Sequence, residues 1–271
     1  MQSTVNLWEA LCHDFELQKE GMSAEECLET AKNFADAARG LIRPTSPKLV
    51  DAIEIAGDVC QGCGYPNHAK NFFLQALELA QKIGVMASVS RIATKLAQIE
   101  DSAGELQTAR SYYETALQAS HQANDLNNQQ IILLGLADVC KKLGDQQAVS
   151  QALAQIMDLA IHIHGENHPE VATAATNLGV ACTETGELEQ AESLHLRALS
   201  IREKCFGGLH PEVAQSLANL GVVYHSLGDF DRASRFYLSA LEIYRRYKPS
   251  NDPVLAAIQA NLDSLPNTRK E

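Results

Sequence analysis

The residues best equipped for chemistry are Cys60-Gln-Gly-Cys63 and the run Ile161-His-Ile-His164-Gly-Glu-Asn-His168. A structural zinc site needs four ligands at matching spacing, and no second cysteine pair of this kind follows the first. Cys60 stands in register with Cys140, Cys182 and Tyr224, and Cys63 with Ala103, Leu143, Thr185 and Leu227. That register describes a small buried helix position, and a free cysteine fills such a position as a small hydrophobe. His162 and His164 are two apart on an expected helix and point in different directions. His168 is in register with His210, around which there is no other histidine, so both are expected to bond local backbone groups just ahead of a helix. The chain has no Gly-x-Ser-x-Gly elbow, no phosphate-cradling Gly-Lys-Ser/Thr loop and no His-Glu-x-x-His pair. No catalytic residue, metal or cofactor is expected.

A different chemistry, recognition, is written in Asn177, Asn219 and Asn261, which recur 42 residues apart. Asparagine is a poor helix former, and a primary amide both donates and accepts hydrogen bonds. Around Asn177 the same helix face carries Thr173, Val180 and Glu184; around Asn219 it carries Gln215, Val222 and Ser226; around Asn261, Ala257 and Ser264. Such a column either grips the backbone of an extended peptide or bonds neighbouring helices and sets their curvature. Further upstream the same face becomes charged, with Asp51, Ile55 and Asp58, then Arg91, Lys95 and Gln98, then Ile131, Asp138 and Lys142. Arg91, Lys95, Lys141 and Lys142 form a basic pocket for anionic groups, or else are solvated charges paired with Glu54 and Asp138; both readings stay open here.

The elements that position these residues follow from a repeat. Gly64, Gly104, Gly144, Gly186 and Gly228 close five helical patterns at intervals of 40, 40, 42 and 42 residues. His168-Pro-Glu-Val171 returns as His210-Pro-Glu-Val213, Asn177-Leu-Gly179 as Asn219-Leu-Gly221, and a fainter copy starts at Asp252-Pro-Val254. A fixed period of this length marks stacked units, each burying its apolar face against its neighbours. Each unit reads as helix A and helix B joined at the glycine, with Pro169 opening helix A and Gly186 ending it. On a helical wheel Ala175, Leu178, Gly179 and Cys182 face Ala191, His195, Ala198 and Leu199. Small residues are expected to meet at the crossing: Gly57 with Ala69, Ala97 with Ala109, Gly179 with Ala191 and Gly221 with Ala233. Ala137 opposite Val149 departs from this and predicts a wider crossing.

The pattern resembles the tetratricopeptide repeat, with Leu220-Gly221-x-x-Tyr224 on helix A and Ala233-x-x-x-Tyr237, Ala69-x-x-x-Phe73 and Ala109-x-x-x-Tyr113 on helix B. The longer period, the His-Pro-Glu-Val opening at 168–171, the Asn-Leu-Gly centre at 177–179 and Arg-Ala-Leu-Ser-Ile-Arg-Glu-Lys at 197–204 resemble the kinesin light chain subclass. That match covers about 163–265; over 48–160 the generic spacing alone survives. The resemblance implies an all-α helical-hairpin solenoid, a right-handed superhelix of about 13 helices. It also implies a noncatalytic scaffold or adaptor that binds a peptide segment of a partner on its helix-A surface, with Asn177, Asn219 and Asn261 at the matching positions. A regulator sensing a small signalling peptide and a self-associating structural array are the alternatives.

The units are expected at about 48–84, 85–126, 127–167, 168–209 and 210–251, with a capping helix over 252–265 and a polar tail over 266–271. Residues 1–43 fit the period poorly and read as a capping helix pair, Val5 to Lys19 and Ala24 to Gly40, with Trp8 and Phe15 over the core and Ser23-Ala-Glu-Glu26 as a capping box. The net charge of −12 argues against phosphate-based nucleic-acid binding and against anionic membranes. No stretch reaches the roughly 20 apolar residues of a membrane span. The start of the chain lacks a signal peptide pattern, and seven scattered cysteines fit a reducing cytoplasm. Monomer and dimer are equally compatible with this reading.

Overall fold

The structure, a computed structural model, describes residues 23–266, and twelve helices lie among them. The expected helix Val5 to Lys19, with Trp8 and Phe15, falls outside the described residues, as does the expected tail after Pro266. The chain divides into two compact units, Met1–Leu143 and Gly144–Glu271. This boundary falls inside the span 127–167.

The first unit holds α1 (Ala24–Leu41), α2 (Pro47–Gly62), α3 (Pro66–Ile83), α4 (Met86–Ser102), α5 (Leu106–Ala123) and α6 (Leu126–Lys142). Ser23 caps α1 in a full capping box with Glu26. Ser46 and Pro47 then start α2, proline being tolerated in a first turn that has no N–H bond to lose. Each helix packs on the next, and α4 also touches α2 and α6 directly. One core runs through all six helices, built mainly of Ala, Ile, Leu and Val around Phe34, Phe73 and Tyr113.

The second unit holds α7 (Gln146–His164), α8 (Pro169–Thr185), α9 (Leu188–Phe206), α10 (Pro211–Ser226), α11 (Phe230–Tyr244) and α12 (Pro253–Asp263). Again each helix packs on the next, and α8 touches α10 directly. Nδ1 of His168 accepts from the N–H of Glu170 at 3.3 Å, and Nδ1 of His210 from that of Glu212 at 3.2 Å. Both histidines thus cap helices through local backbone, as their register predicts, and stack on His164 and Phe206 respectively. Gly64, Gly104, Gly144, Gly186 and Gly228 all adopt positive φ between 76° and 83°, the conformation in which glycine has no Cβ penalty.

The crossings differ from the expected small-on-small pairing. A Cβ on Gly221 would lie 2.5 Å from the ring of Tyr237, one on Gly57 2.5 Å from Phe73 and one on Gly179 2.8 Å from His195. Each glycine therefore faces the ring one turn beyond the alanine, and the missing Cβ makes room for that ring. Phe73 and Tyr237 are fully buried. Gly221→Ala is accordingly expected to lower stability by about 1–3 kcal/mol through overpacking. Gly40→Ala, in α1 with nothing within 4 Å of the added methyl, is expected to raise it by about 0.5–1 kcal/mol. Urea denaturation followed by circular dichroism reads both signs; equal shifts would refute the ring-accommodation account.

The last helix changes character. Gln259 and Asp263 occupy the register of Ala175 and Gly179 in α8 and of Leu217 and Gly221 in α10. Gln259 Nε2 donates to Asp263 Oδ1 at 2.9 Å, while Arg245 donates to Gln259 Oε1 at 3.4 Å. Leu255 and Ile258, on the adjoining face of α12, seat it in the core with Leu241 and Tyr244.

Candidate functional site

Helix α8 is buried over most of its circumference, through Val171, Ala172, Ala174, Ala175, Thr176, Leu178, Gly179, Ala181 and Cys182. What remains is a narrow exposed strip of Thr173, Asn177, Val180 and Glu184, spaced four, three and four residues apart. That is the spacing of one helix face. On α10 the same strip carries Gln215, Val222 and Ser226 exposed, with Asn219 half-buried between them. On α12 it carries Ala257, Asn261 and Ser264. Val180 and Val222 are 39% and 36% exposed and add apolar surface beside the amides. The side-chain amides of Asn177, Asn219 and Asn261 make no hydrogen bond among the described residues; the contact at Asn261 is to its backbone carbonyl, from Ser264 Oγ. Helices α8, α10 and α12 contain no Lys or Arg, and their charged residues are Glu170, Glu184, Glu212 and Asp263.

The corresponding face of the first unit is an ionic ridge. Arg91 binds both carboxylate oxygens of Glu54 at 2.7 Å through Nε and a terminal nitrogen, and reaches Asp51 at 3.3 Å. Lys95 lies 2.7 Å from Glu54 Oε1 and 2.6 Å from Asp58. Lys142 sits 2.7 Å from both Asp101 and Asp138. Glu54 is buried, which pushes its carboxyl up, but its bonds to Arg91 and Lys95 outweigh this and hold it below the ordinary carboxylate range. Burial raises Asp51 despite Arg91. Arg91, Lys95 and Lys142 are thus neutralised by Asp51, Glu54, Asp58, Asp101 and Asp138, and Lys141 is not free either. Carboxylates outnumber cations along this ridge, so it offers no unpaired basic pocket.

The tetratricopeptide repeat family model matches residues 130–204 and 170–246. Residues 130–246 of this chain are thus tetratricopeptide repeats. No curated protein sequence matches the chain. Among solved structures it is similar to BtubC (BKLC) from P. vanneervenii, at 26% identity over 85% of this chain and 96% of that one, with a TM-score of 0.58. It is also similar to a Podospora anserina protein named for kinesin light chain and its nearly identical TPR-like repeats, at 18% identity over 77% and 99% of the two chains, TM-score 0.58. A third neighbour is YrrB, a TPR protein with an unusual peptide-binding site, at 18% identity over 86% and 100%, TM-score 0.57. The likeness of the repeats to those of kinesin light chain, carried by the His-Pro-Glu-Val and Asn-Leu-Gly motifs, agrees with these neighbours.

Within the tetratricopeptide pattern the buried aromatic of helix B is His195 in one repeat, where Phe73 and Tyr237 stand in others. His195 is 1% exposed and its Nδ1 has no partner. Burial, reinforced by the nearby Arg202 charge, pushes its pKa down to about 4 against a smaller opposing effect of a backbone bond to Gly179. Arg202, 3% exposed, crosses from α9 to α10 and donates to Ser216 Oγ at 2.8 Å and to the Glu212 carbonyl at 3.3 Å. Its charge is met by the Glu212 carboxylate at 3.1 Å. Arg202 is hidden in the sequence because it lies within the helix-B motif; the signal there is an arginine in step with buried Ala198 and Ile201.

Cys60 and Cys63 sit near Cys27 of α1, to which the Cys63 thiol is hydrogen-bonded. Burial pushes the Cys63 thiol up to about 11, which disfavours the thiolate that a nucleophile needs. Among the described residues no group of three or more His, Cys, Asp or Glu is placed to hold a metal ion, and no helix is long and apolar enough to cross a membrane.

Proposed function

We propose that this protein is a noncatalytic interaction scaffold that grips an extended peptide segment of a partner protein along the exposed strips of α8, α10 and α12. The observation that carries this is the set of unpartnered amides at one register. Asn177, Asn219 and Asn261 give up helix propensity without returning an internal hydrogen bond. If these residues set curvature, their amides would be bonded to neighbouring helices; they make no such bond, Asn177 and Asn261 being exposed and Asn219 half-buried beside Val222. Thr173, Gln215, Glu184 and Ser226 flank them with further polar groups. The fold class supports the broader reading, since tetratricopeptide arrays present continuous binding surfaces. One structural neighbour, YrrB, has a peptide-binding site of its own, described as unusual.

The test is the triple variant N177A/N219A/N261A. It is expected to keep its helicity and melt at or slightly above the parent temperature, because alanine is the better helix former and no internal bond is lost. Used as bait beside the parent, it is expected to lose the parent's partners. Retention of every partner would remove the amide column from the binding surface, and loss of folding would assign it a structural role.

A further inference from the structure

A second site lies on the other side of the last helix and is independent of the asparagine strip. A cleft of about 470 Å³, within the size range of ligand pockets, opens between the end of α11 and the start of α12. Leu241 and Leu255, 1% and 6% exposed, form its apolar floor, with exposed Ala256 beside them. Arg245, Lys248, Ser250 and Gln259 supply its polar lining. Leu255, Ala256 and Gln259 fall on the side of α12 away from Ala257 and Asn261, since at about 100° per residue the two groups are roughly half a turn apart.

The charges around this cleft do not balance. Arg246 is paired with Glu242 at 2.9 Å, and Lys248 with Asp252 at 3.2 Å. Among the described residues Arg245 has no carboxylate partner; its guanidinium donates to the neutral Oε1 of Gln259 at 3.4 Å. Asp263, one turn beyond Gln259 on α12, is outside the lining and accepts from Gln259 Nε2. One guanidinium is thus left uncompensated at the edge of an apolar cleft, in a chain whose net charge is −12. A planar guanidinium matches a carboxylate through two parallel hydrogen bonds, which selects by geometry as well as by charge. With a single cation in surplus and Asp252 and Asp263 close by, a monoanion suits the site better than the dianion of a phosphate ester.

We infer that the cleft binds a carboxylic acid carried on an apolar body. Arg245 takes the carboxylate, with the Lys248 ammonium and the Ser250 hydroxyl as the further donors of the lining, and Leu241, Leu255 and Ala256 take the hydrocarbon. A free branched acid and the end of a polypeptide closing on leucine both present this chemistry.

Titrations of the full chain followed by heteronuclear NMR test this, with isocaproate, isocaproamide, acetate, inorganic phosphate and N-acetyl-leucine as probes. Isocaproate is expected to give saturable shifts at the backbone amides of Ser250, Ala256 and Gln259. Isocaproamide lacks the charge and acetate lacks the hydrocarbon, so each is expected to bind about tenfold more weakly or worse. Phosphate is expected to bind no better than acetate. Arg245→Gln, at an exposed position, is expected to weaken isocaproate about tenfold and to leave isocaproamide unchanged. Ala256→Asp, also at an exposed position, adds a negative charge to the lining and is expected to weaken isocaproate more than isocaproamide. Circular dichroism checks that both variants keep the parent's helicity. A tighter complex with N-acetyl-leucine than with isocaproate assigns the site to a polypeptide end, and any other order assigns it to a free acid. The assignment is overturned if isocaproamide or phosphate binds as tightly as isocaproate, if R245Q binds isocaproate like the parent, or if no probe gives saturable shifts.

Discussion

Replacing Arg91 and Lys95 together with alanine is expected to destabilise the N-terminal unit by about 3–5 kcal/mol, more than any surface ion pair accounts for. The reason is Glu54. Its side chain sits on α2 facing α4 and is 4% exposed, so water cannot replace the two cations that satisfy it. Removing one end of a buried pair leaves the desolvation cost of the other uncompensated. The R91A/K95A variant, unfolded in urea and followed by circular dichroism, should show the loss. Adding Glu54→Leu to it should restore most of the stability, because an apolar residue of similar size needs no counter-charge. A double variant that unfolds like the parent would show that the ridge is decoration.

The same carboxylate sets an acid limit. With its folded pKa held below the ordinary 4.5, Glu54 contributes stability above that value, and the contribution is lost as pH falls through the folded pKa.

His195 produces a second acid limit at higher pH, in the C-terminal unit. Its ordinary pKa of 6.5 is pushed down to about 4 in the fold, so the unfolded chain takes up a proton that the native state refuses. Stability is complete above pH 6.5 and falls progressively as pH drops toward 4, by about 3 kcal/mol at the end of that range. His195→Phe should flatten this part of the profile. The ring fits, because Phe73 occupies the same position over Gly57 in another repeat. The measurement is the urea midpoint of parent and variant at pH 7.5 and pH 5. Parallel changes in the two proteins would refute a role for His195. The variant gives up the ring's bond to the Gly179 backbone but also removes an unpartnered buried Nδ1, so its stability at pH 7.5 is expected to stay within about 1 kcal/mol of the parent.

The parts of this molecule legible in its sequence are those governed by period. Helix ends follow from Gly186 and Pro169, caps from His168 and His210, and the exposed strip from the wheel position of Asn177. Register along one chain states which residues are equivalent, and equivalence is enough for these. It does not state which atom lies across a helix crossing. Size alone pairs the glycines with alanines, whereas the ring one turn further on reaches back into the space that glycine leaves, side chains on a helix leaning toward its N-terminus. The ionic ridge illustrates a related limit. Lys142 is in step with Ser102, an uncharged residue, and its partner Asp101 comes from the preceding helix A, a distance of 41 positions that no local pattern advertises.

A stack in which every repeat shows the same pair of surfaces is in principle a monomer for a fibre, because head-to-tail contacts that do not close propagate without limit. The hydrogen-bonded Gln259 and Asp263 interrupt that geometry. To continue the array, an incoming helix would have to strip water from a carboxylate at the place where α8 and α10 offer only a glycine. The change of two side chains on α12 therefore makes this face a poor template for a further packed helix.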